Sequence, residues 1–409
     1  MPKGKEIKPH LGIFGRRNNG KSSLINMLSG QDTSIVSDMP GTTTDPVKKS
    51  IEIPGIGPVV MIDTAGIDDI GDVGELRIKK TLQIIKSVDL ALLLITNNTF
   101  EKFEKKLVKE FIQFDIPFII VHNKEDIHSI NADFKREISD KYKAPVISFS
   151  IKQKDSLAPL IKIIENKIPE NAYKQVSMLG DLLKYGDIVL LITPIDIEAP
   201  EGRLILPQVQ AIRDILDNDC VAIVLKEREV DTFLKQTQIK PKLAVTDSQI
   251  FLKADASIPK DVPLTGFSVL LARYKGDFEH YLQGTPKINS LKDGDRVLLL
   301  EGCTHHVSCD DIGRVKIPRW LTNYTGKKIE FDVVAGLSET PYPITDYALV
   351  IQCGGCVLTR KQILNRLKPA IDAGVPVTNY GMTIAFVQGI YNRAIAPFVK
   401  ADEKGIDYI

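Results

Sequence analysis

Apolar runs in this 409-residue chain are short. The longest, such as Leu90–Ile95, fall far below the roughly 18 residues that a membrane-spanning helix needs. The opening MPKGKEIKPH is polar and shows no secretory signal, so a membrane protein is not expected. Basic and acidic residues nearly cancel, 53 against 52, and no basic run stands out. Nucleic acid and membrane are therefore not expected as main partners. Five cysteines is a low and odd number for a secreted disulfide framework, and four of them lie towards the C-terminus. That usage suggests metal or redox chemistry in a reducing cytoplasm, the expected location. No solenoid-type period is evident. What the chain does have is length and a 43% apolar content, enough for two or three globular domains with their own cores.

From His10 to about Ile168, short apolar runs alternate with helix-like stretches. KPHLGIFG, PVVMID, DLALLLIT, PFIIVHN and APVISFS read as buried strands. KSSLINMLSG, ELRIKKTLQIIKS, EKFEKKLVKEFIQF and the segment before Pro169 read as helices. Such alternation predicts a parallel sheet covered on both faces. After the polar IPENAYKQ the pattern resumes with DIVLLITPI, CVAIVLKE and PKLAVTDS, separated by two helix-like stretches. A proline-rich joint, SIPKDVPL, precedes a third region whose RVLLLEG, IEFDVVAG, YALVIQ and PVTNYG again look like strands. The expected domains are 8–170, 178–264 and 265–409.

The strongest motif is Gly15-Arg-Arg-Asn-Asn-Gly20-Lys21-Ser22, a G-x-x-x-x-G-K-[ST] loop placed between a strand and a helix. Gly15 and Gly20 let backbone N–H groups curl around phosphate oxygens, and the helix N-terminus adds favourable potential. Asn18, Asn19 and Ser23 complete the expected cradle. Lys21 is expected on the β- and γ-phosphates and Ser22 on Mg²⁺. Asp63-Thr-Ala-Gly66 ends a strand: Asp63 can hold Mg²⁺ through water, and the Gly66 backbone can sense a γ-phosphate. Asn123-Lys124-Glu-Asp126 follows another strand, and its carboxylate suits the guanine N1–H and N2–H₂ donors, which adenine lacks. Ser150-Ile151-Lys152 is a weak form of a Ser-Ala-Lys base-supporting loop. Four motifs in order make the first region a Ras-like P-loop G domain that binds and hydrolyses GTP. The fold class is α/β, this domain being followed by two further α/β domains with parallel sheets.

Pro40-Gly-Thr-Thr-Thr-Asp45 resembles the switch I of the Era/TrmE-like branch of GTPases, on whose pattern Thr43 completes the Mg²⁺ shell. Asn18 resembles the residue that binds an activating K⁺ in that branch; its plain reading is a loop-stabilising amide. Ile67 stands where Ras-type enzymes carry a water-orienting Gln. An apolar side chain cannot polarise water, so slow intrinsic hydrolysis, stimulated by K⁺, is expected.

Cys303-Thr-His305 follows RVLLLEG, and Cys353-Gly-Gly-Cys356 ends YALVIQ. Both fall at carboxyl ends of expected strands, where open α/β sheets bind ligands. Three thiolates from two loops suit an iron–sulfur cluster. A zinc site on Cys303, His305, Cys353 and Cys356, or a dithiol redox pair, suits the same spacing, and spacing alone leaves zinc and iron–sulfur equally open. Cys220 and Cys309 read as ordinary small residues, and His306, Asp310 and Asp311 as solvated loop residues.

A G domain of this branch followed by Cys-x-His and a distant Cys-x-x-Cys resembles the HydF family, the maturation GTPases of [FeFe]-hydrogenase, over the whole chain. The resemblance implies a [4Fe–4S] cluster on Cys303, Cys353 and Cys356. It also implies a homodimeric scaffold that receives a diiron precursor from radical-SAM maturases and delivers it to apo-hydrogenase. The family usually has His-Cys-x-x-Cys, but Gln352 precedes Cys353 here. The fourth iron position is then open, or held by His305 or Asp310. The middle region has no motif of its own and is the expected dimer interface. Two other readings compete: an Era-like RNA- or ribosome-associated GTPase with a zinc-binding C-terminal domain, and a GTP-controlled thiol redox enzyme using Cys353 and Cys356.

Overall fold

The computed structural model describes residues 8–30, 47–64, 81–169, 172, 177–194, 204–302, 311–336, 338–356 and 358–399. The chain divides into two compact units, Met1–Gln175 and Val176–Ile409.

The first unit is built on six strands, β1 (His10–Gly15), β2 (Val47–Ile53), β3 (Gly57–Asp63), β4 (Leu90–Ile95), β5 (Phe118–His122) and β6 (Val146–Ser148), in the order β2-β3-β1-β4-β5-β6. All pairings are parallel except β2 with β3. The apolar runs behave as a period of two requires. In β4, Leu90, Leu92 and Leu94 enter one core with Leu24 and Phe149, while Ala91, Leu93 and Ile95 enter the opposite core with Leu107 and Phe111. The helix Lys102–Gln113 buries Glu104, Leu107, Val108 and Phe111, one stripe at helical spacing. Its start is fixed by the Glu104 carboxylate, which accepts from the Glu101 backbone N–H at 2.8 Å. Strand β2 is not among the expected strands. Half its residues face solvent at an antiparallel edge, so its apolar signal is diluted.

The second unit holds two four-stranded parallel sheets. One comprises β7 (Ile188–Ile192), β8 (Val221–Leu225), β9 (Leu243–Thr246) and β10 (Leu264–Gly266), ordered β10-β9-β7-β8. The other comprises β11 (Arg296–Glu301), β12 (Glu330–Ala335), β13 (Leu349–Gln352) and β14 (Val377–Asn379), ordered β12-β11-β13-β14. The helix Phe267–Lys275 serves both. Its Phe267, Leu270 and Leu271 join Leu191 and Val245 in one core, and its Val269 and Ala272 join Leu299 and Ile351 in the other. The proline-rich joint is also fastened: the Arg393 guanidinium donates to the carbonyls of Ile258 (3.1 Å), Pro259 (2.8 Å) and Val262 (3.1 Å). These shared groups make one compact body of the two regions that the sequence separates at 264. No described helix is long and apolar enough to cross a membrane.

Candidate nucleotide site and thiol edge

The nucleotide loop leaves β1, which lies between β3 and β4. Gly15 has φ +147°, and a Cβ there would meet the Leu94 carbonyl oxygen at 2.5 Å; Gly20 has φ +86°, and its Cβ would meet Asn123 Nδ2 at 2.4 Å. Only glycine fits either place. Asn18 takes the left-handed region with φ 62°, which asparagine tolerates better than most residues. The Lys21 ammonium lies along the loop, donating to the carbonyls of Gly15 at 3.0 Å and Arg16 at 2.9 Å. Ser22 and Ser23 stand exposed in the first turn of the helix Lys21–Leu28.

Asn19 faces inward. Its Nδ2 donates to the Leu94 carbonyl (2.9 Å), its Oδ1 accepts from the Thr96 hydroxyl (3.1 Å), and its carbonyl accepts from Asn123 Nδ2 (2.8 Å). It therefore ties the Gly15–Ser22 loop to the loop expected to recognise the base. Asn123 is fully buried, and its Oδ1 accepts from the Lys124 backbone N–H, Lys124 itself standing at φ 61°. The Asp126 carboxylate accepts from the Ser150 hydroxyl at 2.6 Å and pairs with Lys152 at 3.0 Å, and these bonds hold its carboxyl below the usual carboxylate range. Ile151 is exposed beside them. Thus the two loops expected to hold guanine meet through side chains.

Ser22 Oγ donates to Asp63 Oδ2 at 3.0 Å, joining the loop to the end of β3. Burial pushes the Asp63 carboxyl up, against the Ser22 bond and the charges of Lys21 and Lys49. Asp63 Oδ1 is buried without a hydrogen-bond partner among the described residues. A serine hydroxyl and a carboxylate with an unpartnered oxygen, both hard oxygen donors, fit Mg²⁺. Thr43, Gly66 and Ile67 lie outside the described residues.

A feature that no sequence motif marks is a clamp on Arg16. Its guanidinium forks onto Glu104 at 2.7 and 2.9 Å and reaches Glu101 at 3.0 Å. Glu104 is only 1% exposed, so the loop is braced by a bidentate ion pair whose carboxylate is buried and whose guanidinium is partly exposed. Arg16 occupies an unspecified position of the motif, and its partner lies 88 residues away.

The thiol edge lies at the carboxyl ends of β11 and β13, which are paired with Leu300 opposite Gln352. Cys353 Sγ accepts from the Gly302 backbone N–H at 3.1 Å and from Gln352 Nε2 at 3.3 Å. Burial pushes the Cys353 thiol up, while the Gly355 and Gly302 backbone N–H groups and the Arg366 charge pull it down. Cys356 packs against the core of the β7–β10 sheet. Beneath the Cys353–Cys356 turn, the buried Lys275 ammonium donates to the carbonyls of Gly355, Cys356 and Leu358. Burial pushes this ammonium down, and Cys356 and Cys353 act against that. Cys303, His305, His306, Cys309 and Asp310 lie outside the described residues. Among the described residues no group of three His, Cys, Asp or Glu gathers for a metal. Two thiols therefore stand at one sheet edge, one of them bonded to the residue preceding Cys303, and soft sulfur donors of this kind fit zinc or an iron–sulfur cluster alike. Cys220 is buried in a core, its thiol donating to the Lys184 and Asn218 carbonyls.

Family models match three stretches: residues 178–276 match the Hydrogen maturase F dimerization domain, and residues 279–397 the Hydrogen maturase F tetramerization domain. The chain belongs to the hydrogen maturase F family. Residues 10–124 match a third model, the 50S ribosome-binding GTPase, so this member of the family carries a GTPase domain ahead of two domains named for homo-oligomer formation. The sequence motifs point to cluster binding alone for the last region and carry no signal of tetramerization.

Curated relatives include the tRNA modification GTPase MnmE of Nitrosomonas europaea, 43% identical over 116 residues, covering 28% of this chain and 26% of the relative. MnmE of Coxiella burnetii is 37% identical over 158 residues, 38% of this chain and 34% of the relative. The chain thus spans about a quarter to a third of these relatives' length. Among solved structures, Aquifex aeolicus Era bound to GDP and aluminium fluoride is 20% identical, covers 55% of this chain and 97% of that one, and has a TM-score of 0.34.

Proposed function

We propose that this chain is a GTP-controlled iron–sulfur scaffold that assembles or delivers the diiron precursor of [FeFe]-hydrogenase. Cys303, Cys353 and Cys356 hold a [4Fe–4S] cluster, whose fourth position is open or taken by His305 or Asp310. Radical-SAM maturases supply the precursor and apo-hydrogenase receives it. Lys21, Ser22, Thr43, Asp63 and Gly66 handle the phosphates and Mg²⁺, and Asn18 holds a stimulating K⁺. The observation that carries the reading is the bond from the Gly302 N–H to Cys353 Sγ. It brings the backbone entering Cys303 to the Cys-x-x-Cys turn, in a chain that also carries a P-loop.

Anaerobic purification, iron quantitation and EPR test this. Wild-type protein and Cys220→Ala should be brown and carry a [4Fe–4S] signal. Cys303→Ala, Cys353→Ala and Cys356→Ala should each lose most of it. A colourless wild type holding zinc would favour the RNA-associated GTPase reading, and full cluster retention in the three variants would sink the ligand assignment.

The dimer partner is a second copy seated on β8. This edge strand exposes Val221 (48%) and Val224 (40%), an apolar pairing edge of the kind that isolated proteins keep covered. Val224→Lys should shift the light-scattering mass of the full chain towards smaller assemblies. An unchanged mass would move the interface elsewhere.

A further inference from the structure

Lys275 is the last residue of the helix Phe267–Lys275 and is 4% exposed. Its Nζ lies 3.2 Å from the Gly355 carbonyl, 3.1 Å from that of Cys356 and 2.9 Å from that of Leu358. An ammonium has three N–H donors and no acceptor, so its hydrogen bonding is complete. Its charge is not balanced in the same way. Among the described residues no carboxylate pairs with it, although a buried cation is costly without an opposing charge. Among the described residues, the groups placed to oppose it are the thiols of Cys353 and Cys356, which carry negative charge when they ligate a metal.

The carrier of this lysine is also informative. Phe267, Leu270 and Leu271 anchor the same helix in the β7–β10 core, and Cys356 packs on that core too. The family model matched for dimerization ends at residue 276, and the one matched for tetramerization, which contains both thiols, begins at 279. The Cys-x-x-Cys turn is thus seated on a side chain delivered by the neighbouring domain.

We propose that Lys275 is a positioning residue for the iron–sulfur site, fixing the Cys353–Cys356 turn through three carbonyls and opposing the charge of its thiolates. The assignment rests on the proposed reading that a [4Fe–4S] cluster sits on these cysteines. Three thiolates on the oxidised cluster core leave a single net negative charge, and one-electron reduction makes it double. A nearby cation therefore favours the reduced state. Removing it should shift the midpoint potential to more negative values and loosen the turn.

The test uses the full chain, reconstituted anaerobically, as wild type, Lys275→Met, Lys275→Gln and Lys275→Arg. Dithionite titration followed by EPR should give a more negative potential for Met and Gln and a near-native one for Arg. Iron loss to a chelator should be about tenfold faster for Met, the scale on which groups behind metal ligands act. In the cluster-free chain, amide hydrogen exchange at Gly355 and Cys356 should be faster in Met than in wild type, because the turn loses the three hydrogen bonds that hold it. If Met fails to fold, Gln and Arg carry the comparison. A normally loaded wild type whose potential, iron retention and amide exchange persist in all the folded variants overturns the Lys275 assignment alone. Variants that lower only the melting temperature, with the potential unmoved, also overturn it. A wild type that takes up no cluster overturns the underlying reading, and the assignment with it.

Discussion

The nucleotide loop and the thiol edge occupy the same kind of place, the carboxyl end of a parallel strand flanked by two neighbours, yet they are built differently. The loop runs without interruption from Gly15 to Ser22, and its polar groups are largely answered within the domain: Lys21 by loop carbonyls, Asn19 by Leu94 and Thr96, Arg16 by Glu104. At the thiol edge the groups come from β11, β13 and three helices. Glu301 binds Arg314 through one oxygen only. Glu301 Oε1, Gln352 Oε1, Arg366 Nη1 and Tyr380 Oη are buried without hydrogen-bond partners among the described residues. Each such group costs about 1–3 kcal/mol. A site for a nucleotide that comes and goes must hold its shape when empty, and the loop is braced accordingly. The thiol edge instead retains unanswered polarity around Cys353, a cost that a resident group could offset.

The strongest way to separate the two sites is Lys21→Ala. Lys21 belongs to the first compact unit and Cys353 to the second, so loss of the ammonium should leave the thiols undisturbed. Hydrolysis of GTP should fall by more than about 100-fold, the scale of removing one preorganised electrostatic contact. The [4Fe–4S] signal should stay at the wild-type level while hydrogenase activation in vitro fails. Paired EPR and hydrogen-evolution assays read both. Loss of the cluster, or wild-type activation, would break the separation and with it the view of GTP as a switch.

The complementary substitution strikes the other site. Gly355 has φ +62°, and a Cβ there would meet Ile363 Cδ1 at 2.4 Å. Gly355→Val should strain the turn by at least about 1–2 kcal/mol and weaken iron retention by roughly tenfold, with GTP turnover unchanged. Chelator challenge and a phosphate-release assay on one preparation are the check. A variant that keeps its iron as firmly as wild type would show that the turn needs no left-handed residue.

Legibility in the sequence follows the same divide. The nucleotide site is a set of contiguous motifs whose chemistry depends on residue type and order, and so Gly15, Lys21, Asp63 and Asn123 stand out from residue order alone. The parallel strands are equally plain, because burial on both faces leaves continuous apolar runs. The clamp from Arg16 to Glu104 is not legible, since nothing local marks either residue as a partner of the other. Lys275 ends the stretch FSVLLARYK and looks like a basic residue closing a helix; only the packing of that helix between two cores puts it against the backbone of the Cys353–Cys356 turn. The expected joint at Ser257–Leu264 has a loop's composition, yet Arg393, far along the chain, fastens it down.

A smaller effect tests how the braced loop obtains its rate. With Asn18 in the left-handed region and Ile67 where a water-orienting glutamine would stand, turnover should be several-fold faster in K⁺ than in Na⁺ at equal ionic strength, a modest share of what an arginine finger supplies. Asn18→Ala should erase the difference. Equal rates in both salts for the wild type would leave Asn18 as a loop-stabilising amide.

The smallest expected effect lies at the guanine end of the same site. Asp126 is held below the usual carboxylate range first by the Ser150 hydroxyl and then by Lys152. A carboxylate is needed to accept the two guanine N–H groups, and protonation removes that acceptor, so acidification weakens binding as the pH falls through the Asp126 value. Because that value is lowered, the charge survives further into acid than an unassisted aspartate would allow. Ser150→Ala removes the leading cause and leaves Lys152, so the Asp126 value should rise towards the ordinary range. The acid limb of GTP affinity should then move to higher pH, while affinity near neutrality, where both proteins keep the carboxylate ionised, changes little. Fluorescent guanine-nucleotide titrations across the acid range, with circular dichroism to confirm folding at each pH, measure the displacement. Coincident acid limbs would mean that the hydroxyl shapes the loop without tuning its charge. An equal loss of affinity at every pH would mean that Ser150 acts through the loop's geometry alone.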